Sequence, residues 1–290
     1  MRLAAMLNDA GRLMGDLSIT RLADDRFLVV GSYYLQEWHQ RWFRASLPAR
    51  GVELENLSES WLGFSLSGPK SREILASMTP DDVSDRALPF LGCASLQLPF
   101  GRALTMRVSL TGELGYELYV PAAQQKALWD ALLAAGRPHG MKPIGMKAQD
   151  SLRLEKGYGI WSVEFTPSYT PAMAGLDRFV APDKGSFTGR EAFLRACETP
   201  PPQRLVLLQI DSPEADVTGY EPVRHDGRRV GYVTSGAYGH HVGASLALGY
   251  VETALARTAD PLTVSVLGVQ RAARILREPP YDPSGSRMRS

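Results

Sequence analysis

The sequence predicts an α+β protein of several domains that ends in a small all-β barrel. Strand-like and helix-like segments alternate over residues 51–140, a pattern typical of helices packed on a sheet. Three successive prolines at residues 200–202 indicate a domain boundary, because proline interrupts both helices and paired strands. Short apolar segments separated by turn residues follow from residue 203 to about 278, which favours a barrel or sandwich.

The first 50 residues are predicted to contain a β-hairpin and a helix. Residues 17–20 alternate apolar and polar side chains, residues 27–30 form a short apolar run, and residues 23–26 between them are turn-like. Aromatic side chains at helical spacing over residues 32–46 predict an amphipathic helix. A hairpin this close to the start has no preceding strand with which to pair.

Residues 51–144 are predicted to form a compact α+β unit. Its predicted elements are a strand at 61–66, a helix that follows Gly68 and Pro69, strands at 104–110 and 116–120, and a helix from Pro121 to Gly136. In the first helix, Ile74 and Leu75 are expected to face inward.

The remaining segments predict two further helices and then the barrel. The helices cover residues 145–157 and 189–198. The predicted barrel strands are 205–210, 229–234, 247–251 and 262–266, with turns at Asp226-Gly227 and Leu267-Gly268. The tail from residue 281 to 290 is predicted to be disordered.

Composition excludes several classes of function. The chain has 290 residues, a formal net charge of +1 and two cysteines. A charge so close to zero provides no long-range attraction to nucleic acid or to an anionic membrane. The cysteines lie in no metal-binding or redox pattern, and no apolar segment is long enough for a signal peptide or a membrane span. We therefore expect a soluble, cytoplasmic protein that binds neither nucleic acid nor membrane.

Two segments resemble known binding motifs but lack residues that those motifs require. Residues 63–71 approximate a phosphate-binding loop, but Pro69 follows the second glycine where that loop requires lysine, so a helix start is favoured. The adjacent His240 and His241 have no carboxylate at ligand spacing, which favours a solvated loop over a metal site. No GxGxxG follows a strand, so a dinucleotide domain is not indicated.

Three segments carry a more specific signal. They are residues 7–22 (LNDAGRLMGDLSITRL), residues 111–119 (TGELGYELY) and residues 148–159 (AQDSLRLEKGYG), the last continuing into FTPSYTPAMAGL at 165–176. Residues 184–193 (KGSFTGREAF), 234–251 (TSGAYGHHVGASLALGYV) and the closing PYDP at 280–283 follow in the same order. Together these motifs resemble the glycine-cleavage T-protein superfamily over nearly the whole chain. The details LRLEKGYG, TPSYTP and YDP are similar to the folate-binding part of dimethylglycine and sarcosine dehydrogenases.

The resemblance implies a multi-domain cloverleaf that binds the pterin of tetrahydrofolate at its centre. In these terms the predicted domains are a remnant of the central domain at 1–50, a second α+β domain at 51–144, a return to the central domain at 145–200, and the barrel and tail at 201–290. Family members carry a further segment before the region that matches Leu3. We therefore expect the central domain to be incomplete, and folate affinity to be weakened or lost if the cleft does not form.

The resemblance also implies a set of site residues. Asp16 matches the central acid that orients or deprotonates the folate nitrogen, and Glu117 matches the pterin-binding acid; the two are expected to converge on one cavity. Tyr116, Gln149, Arg153 and Trp161 are assigned to the cofactor site. T-protein itself has arginine where this chain has Gln149, which can still offer a neutral hydrogen bond.

Four of these residues, and two of their neighbours, also have a purely structural interpretation. Asp16 could cap a turn before the hairpin, and Glu117 could lie on an exposed strand face. Tyr116 and Tyr119 could pack in the core rather than stack on a ligand. Arg153 and Glu155 could belong to a solvated helix face.

The resemblance implies a tetrahydrofolate-dependent one-carbon transferase that acts on a small methylated amine or related donor. Because the chain has no flavin-binding motif, a separate flavin oxidase would have to generate the reactive carbon where prior oxidation is needed. The alternatives are a non-catalytic folate-binding or assembly subunit of such an oxidase and a truncated, inactive product.

Overall fold

The computed structural model describes all 290 residues, which divide into two compact units. The first unit comprises residues 1–2, 18–144 and 284–290, and the second comprises residues 3–17 and 145–283. The strand β2 (Leu13–Arg21) begins in the second unit and ends in the first. The fold is mixed α and β with a closed C-terminal barrel, as the sequence predicts. No helix is both long and apolar enough to cross a membrane.

The first unit contains the predicted hairpin and a four-stranded sheet. Its strands are β3 (Phe27–Val30), β4 (Trp61–Ser67), β5 (Cys93–Leu98), β6 (Gly101–Met106) and β7 (Gly115–Pro121), and its helices are α1 (Gln36–Ser46), α2 (Ser71–Met78) and α3 (Gln125–Gly136). The end of β2 pairs antiparallel with β3, and the four-stranded sheet has the order β4-β7-β6-β5. The expectation that the hairpin has no preceding strand was wrong, because β1 (Arg2–Leu7) pairs with β2 on the side opposite β3. Ile74, Leu75 and Leu128 from α2 and α3 lie in its buried core with Leu118 of β7. The core therefore lies on one face of the sheet, and the side chains that alternate with Leu118 point to the other face.

Two details of this unit differ from the prediction. The strand β5 was not predicted, although Leu96 and Leu98 alternate with exposed polar residues along it. It pairs with β6, which spans residues 101–106 rather than the predicted 104–110.

The prediction of a disordered tail was wrong. Residues 286–289 form the short helix α7 (Ser286–Arg289), and the side chain of Met288 is buried. The fully buried Arg107 donates hydrogen bonds to the carbonyl oxygens of Met288 (3.2 Å) and Ser290 (2.6 Å), and it also pairs with Asp85. A buried guanidinium needs such acceptors, and the tail supplies two of those that Arg107 uses.

The second unit contains the barrel and the helices that precede it. Its elements are β1 (Arg2–Leu7, of which residues 3–7 belong here), the start of β2, the helices α4 (Met146–Glu155), α5 (Pro171–Ala174) and α6 (Arg190–Cys197), and the strands β8 (Gln203–Ile210), β9 (Pro222–His225), β10 (Arg228–Gly239), β11 (Ala244–Glu252), β12 (Leu262–Val266) and β13 (Val269–Leu276). The six barrel strands close in the order β10-β11-β8-β13-β12-β9. Their inward-facing valines, leucines and isoleucines form a continuous buried core.

The turns of the barrel follow the predicted chemistry. Asp226 and Gly227 both have positive φ (49° and 76°), as do Leu267 and Gly268 (49° and 84°). Two consecutive positive φ values define the hairpin turn whose twist matches that of paired strands. These turns join β9 to β10 and β12 to β13, and neither β9 nor β13 was predicted as a strand.

Candidate functional site

Asp16 lies in the middle of β2, not at a turn, so the capping alternative is wrong. Its neighbours Gly15 and Leu17 are buried, and its own side chain is partly covered. Burial raises the pKa of the Asp16 carboxyl from 3.8 to about 7, against the opposing effect of a hydrogen bond to the residue's own backbone. An acid with a pKa near neutrality exchanges protons readily at physiological pH, which is the property required of a general base.

Glu117 occupies the middle of β7 and is partly buried, so the exposed-face alternative is wrong as well. Its Oε2 accepts a hydrogen bond of 2.7 Å from the hydroxyl of Tyr119, two residues along the same face of the strand. Burial raises the pKa of the Glu117 carboxyl, and the hydrogen bond from Tyr119 partly offsets the rise. No hydrogen-bond donor of the protein reaches Oε1 in the structure.

A small cavity of about 120 Å³ opens at this carboxyl and is lined by Gly63, Phe64, Ser65, Glu117 and Tyr119. Drug-sized ligands occupy cavities of roughly 300–1,000 Å³, so this cavity can receive the edge of a ligand but not a whole bicyclic ring. Any larger ligand would need further surface to cover the rest of it.

Gly63 explains why the ring of Tyr119 lies against the neighbouring strand. Gly63 is the antiparallel partner of Tyr119 in the β4–β7 pair. A Cβ atom at Gly63 would lie 2.8 Å from Tyr119 Cδ1 and 2.8 Å from the carbonyl oxygen of Leu118. Only glycine therefore permits the ring position from which the hydroxyl reaches Glu117.

Tyr116 does not belong to this site, and its assignment to the cofactor is corrected. It is fully buried in the core of the first unit, where its hydroxyl accepts a hydrogen bond of 3.1 Å from Arg72 Nε. Successive strand residues point to opposite faces, so Tyr116 faces away from the cavity at Glu117. Core packing, the alternative considered for this residue, is what the structure shows.

The side chain of Arg153 is also used within the protein rather than at a ligand site. Its side chain is 3% exposed and pairs with Asp150 (2.9 Å) and with Glu164 (3.3 Å), and it donates to the carbonyl oxygen of Tyr158. Glu155, on the same helix, is buried and accepts hydrogen bonds from the backbone of the turn at His241. Neither residue lies on a solvated helix face, and the guanidinium of Arg153 is occupied by the protein itself. We therefore remove Arg153 from the cofactor site.

Glu164 was missed by the sequence analysis, although it organises the second unit. It is fully buried, and its carboxylate accepts hydrogen bonds from Thr234 (2.7 Å), Ser235 (2.5 Å), the backbone of Ile160 (3.0 Å) and Arg153. These bonds connect helix α4 to the barrel. No sequence signal marks this carboxylate, because its barrel partners Thr234 and Ser235 are 70 and 71 residues away.

The other two predicted residues also lie in the second unit. Gln149 is partly buried in α4, and Trp161 is buried beside an isolated bridge to Phe165. Their contact with a cofactor remains a prediction.

A larger cavity, of about 490 Å³, lies over the barrel strands and contains none of the predicted site residues. Its lining includes the small side chains of Ala244 and Ala272 and the larger ones of Tyr238 and Arg274. We do not assign a function to it.

Two family matches cover most of the sequence. Residues 1–184 match the GCVT N-terminal domain, and residues 203–282 match the glycine cleavage T-protein C-terminal barrel domain. The chain belongs to the glycine-cleavage T-protein family.

Relatives of this T-protein-family chain include oxidases, dehydrogenases and transferases. It is 35% identical over 284 residues to 4-methylaminobutanoate oxidase (formaldehyde-forming) of Paenarthrobacter nicotinovorans, covering 98% of this chain and 34% of the relative. It is 32% identical to human mitochondrial dimethylglycine dehydrogenase, covering 94% of this chain and 32% of that protein. It is also 32% identical to the aminomethyltransferase of Desulforamulus reducens, covering 95% of this chain and 75% of that protein. The chain thus spans about a third of the length of the oxidase and the dehydrogenase.

The fold agrees with that of a solved family member. The glycine cleavage system aminomethyltransferase T from Bartonella henselae superposes with a TM-score of 0.85 at 27% sequence identity. The match covers 97% of this chain and 76% of that structure. The predicted fold class is therefore confirmed.

Proposed function

We propose that this protein transfers a one-carbon unit, methyl or methylene, from a small methylated amine or related donor to tetrahydrofolate. The family is a folate-dependent one of the aminomethyltransferase type, and the relatives include enzymes named for methylated amines. The observation that carries the proposal is Asp16, whose pKa is raised to about 7 by its position in β2. Partial burial of an ionisable carboxyl lowers the stability of the fold. Acids with strongly shifted pKa values are concentrated at functional sites.

Glu117 would hold the pterin. A pterin presents an amide-like N–H and an exocyclic amine along one edge, and a carboxylate accepts two such donors. Glu117 Oε1 has no donor from the protein and faces a cavity that can take the edge of a ring. Tyr119 fixes the other oxygen, so the carboxyl group is already oriented before a ligand arrives. The chemistry of these residues therefore fits the cofactor.

Asp16 would accept a proton. Tetrahydrofolate, when bound, supplies a nucleophilic nitrogen. The Asp16 carboxylate would offset the positive charge that develops on that nitrogen during transfer, and it would take the proton that the nitrogen releases. Gln149 would contribute a neutral hydrogen bond, and Trp161 an apolar surface.

A flavin oxidase would supply the reactive carbon where the donor must first be oxidised. The relatives include an oxidase, a dehydrogenase and the sarcosine oxidase subunit alpha of Rhizobium meliloti, of which this chain spans 34%, 32% and 30%. The chain therefore corresponds to only about a third of each of these relatives. This supports a second candidate function, a non-catalytic folate-binding or assembly module that docks on such an oxidase.

Isothermal titration with tetrahydrofolate tests the binding step. Loss of charge-assisted hydrogen bonds typically costs about 1.5–3 kcal/mol, so Glu117→Gln is expected to weaken the Kd about 10- to 100-fold. The matched control is Glu113→Gln, four residues earlier, where the carboxylate pairs with Arg287 instead. This variant should retain the wild-type Kd. No heat of binding at high micromolar tetrahydrofolate would overturn the proposal.

Asp16→Asn distinguishes the catalytic role from the binding module. If Asp16 is the base, the variant should bind tetrahydrofolate within about threefold of wild type and lose about 10²- to 10⁴-fold in turnover. The assay supplies dimethylglycine and a flavin oxidase that acts on it, and it measures methylene-tetrahydrofolate against released formaldehyde. Unchanged turnover in the variant would support the binding module and refute the catalytic role of Asp16.

A further inference from the structure

The strand that carries Asp16 is held at its start by the segment 166–170. Leu13, the first residue of β2, donates its backbone N–H to the carbonyl oxygen of Tyr169 at 2.9 Å. Arg12 Nη1 donates to the carbonyl oxygen of Ser168 at 2.5 Å. Leu13 precedes Asp16 by three residues, or about 10 Å along a strand. The position of Asp16 therefore depends on where this segment lies.

Tyr169 is itself fixed by the barrel. Its ring stacks on the ring of Tyr250, with centroids 3.7 Å apart and an interplanar angle of 13°, and its hydroxyl contacts the hydroxyl of Tyr232. Tyr250 is fully buried and donates a hydrogen bond of 2.8 Å to the carbonyl oxygen of Glu164. The carboxylate of Glu164 is in turn bound by Thr234. Tyr250 is thus held in place by burial and by this hydrogen bond, and it provides a fixed ring on which Tyr169 stacks.

The turn that precedes β2 is confined on another side by helix α6. A Cβ atom at Gly189 would lie 2.3 Å from the carbonyl oxygen of Asn8, and a Cβ atom at Gly11 would lie 3.0 Å from the backbone nitrogen of Phe193. These contacts involve backbone and leave little room for movement. The hydrogen bond from Leu13 to the Tyr169 carbonyl is different, because the position of that carbonyl depends on the stacked side chain of Tyr169.

We propose that Tyr169, whose ring stacks on Tyr250, is a positioning residue that holds the start of β2 and so keeps Asp16 in its buried place on that strand. The inference rests on the function proposed above, because it concerns the same acid. A displacement of about 1 Å can cost about 10²-fold in rate when a catalytic group must meet its reactant in one geometry. Without its ring, Tyr169 loses the stacking that holds its carbonyl oxygen on Leu13, and β2 gains freedom next to Asp16.

The test compares Tyr169→Ala and Tyr250→Ala with Tyr169→Phe, which keeps the stacked ring. We expect both alanine variants to lower kcat at least tenfold and leave the Kd for tetrahydrofolate within twofold. The acid limb of the kcat/KM pH profile should move at least one pH unit lower, and Tyr169→Phe should restore most of both. Val264→Ala, in the barrel core away from Tyr169, is the control for general loosening. Unaltered kcat and pH profile in the alanine variants, or the same changes in Val264→Ala, would overturn the proposal.

A second measurement does not depend on turnover. The carboxyl carbon of Asp16 is followed by NMR in protein labelled with ¹³C-aspartate and assigned by comparison with Asp16→Asn. In Tyr169→Ala and Tyr250→Ala its titration midpoint should fall from near 7 toward the ordinary value near 4. A lower midpoint supports the positioning role even if no transfer to tetrahydrofolate is found, in which case the proposed function alone fails. An unmoved midpoint refutes the positioning role even in an active enzyme.

Discussion

The raised pKa of Asp16 predicts an unusual dependence of stability on pH. Because the folded protein holds the proton up to about pH 7 and the unfolded chain releases it near pH 3.8, folding must give up stability as pH rises between these values. The full pKa difference corresponds to about 4 kcal/mol. Above pH 7 the cost is complete and no longer changes.

Replacing Asp16 with asparagine removes this cost, since asparagine cannot ionise. The free energy of unfolding of Asp16→Asn, relative to wild type, should therefore increase by about 3 kcal/mol between pH 5 and pH 8. The comparison between two pH values cancels any fixed effect of the amide. The gain in stability should accompany a loss of turnover, as is common for active-site acids.

Urea unfolding of both proteins at pH 5, 6, 7 and 8 measures this difference, with a common m-value as the check that only stability has changed. Asp9→Asn is the matched control, because Asp9 lies exposed in the turn before β2. A stability difference between Asp16→Asn and wild type that is the same at pH 5 and pH 8 would refute a buried, protonated Asp16.

Further predictions concern the groups that support the site and the fold. Tyr119→Phe removes the hydrogen bond that lowers the pKa of Glu117, so tetrahydrofolate affinity measured by calorimetry should fall several-fold, and equal affinity would contradict the role of Tyr119. Gly63→Ala introduces a Cβ atom 2.8 Å from Leu118 O and Tyr119 Cδ1, and should cost about 1–3 kcal/mol in urea unfolding, whereas Gly140→Ala, with open space but positive φ, reports backbone strain alone. Arg107→Ala removes the guanidinium that binds Asp85 and the carbonyl oxygens of Met288 and Ser290, and it leaves Arg72 as the remaining arginine on Asp85 and Ser290. Limited proteolysis should therefore cut residues 284–290 faster than in wild type, and equal rates would show that other contacts are enough to hold the tail. Glu164→Ala removes one of the two carboxylates that pair with the buried Arg153 and the acceptor of Thr234 and Ser235, and it should cost about 3–5 kcal/mol in urea unfolding. A loss below 1 kcal/mol would contradict the role of this carboxylate.

Sequence patterns predict the elements whose signals are local. The amphipathic helix α1, the helix start after Pro69 and the turns at Asp226-Gly227 and Leu267-Gly268 all follow from residues within one turn of chain. The strand β13 (VQRAARIL) was missed because its arginines and alanines resemble a helix, and only pairing with β8 and β12 makes it a strand.

The sequence was enough to propose two acids for the candidate site, but it did not predict how far each acid is buried. The motif resemblance selects Asp16 and Glu117, whereas the burial that raises their pKa values is a property of the folded chain that the motifs do not contain. Arg153 shows the same limit. The charged residues of α4 suggest that Arg153 lies on an exposed helix face. It is buried instead, because it pairs with Glu164 of the following loop, and Glu164 is in turn bound by Thr234 of the barrel.

A crystal structure with tetrahydrofolate bound tests the central claim most directly. The account predicts the pterin edge within about 3 Å of Glu117 Oε1, with Tyr119 still donating to Oε2. A pterin lodged elsewhere, for example in the groove beside Arg274 on the barrel, with Glu117 untouched, would contradict it.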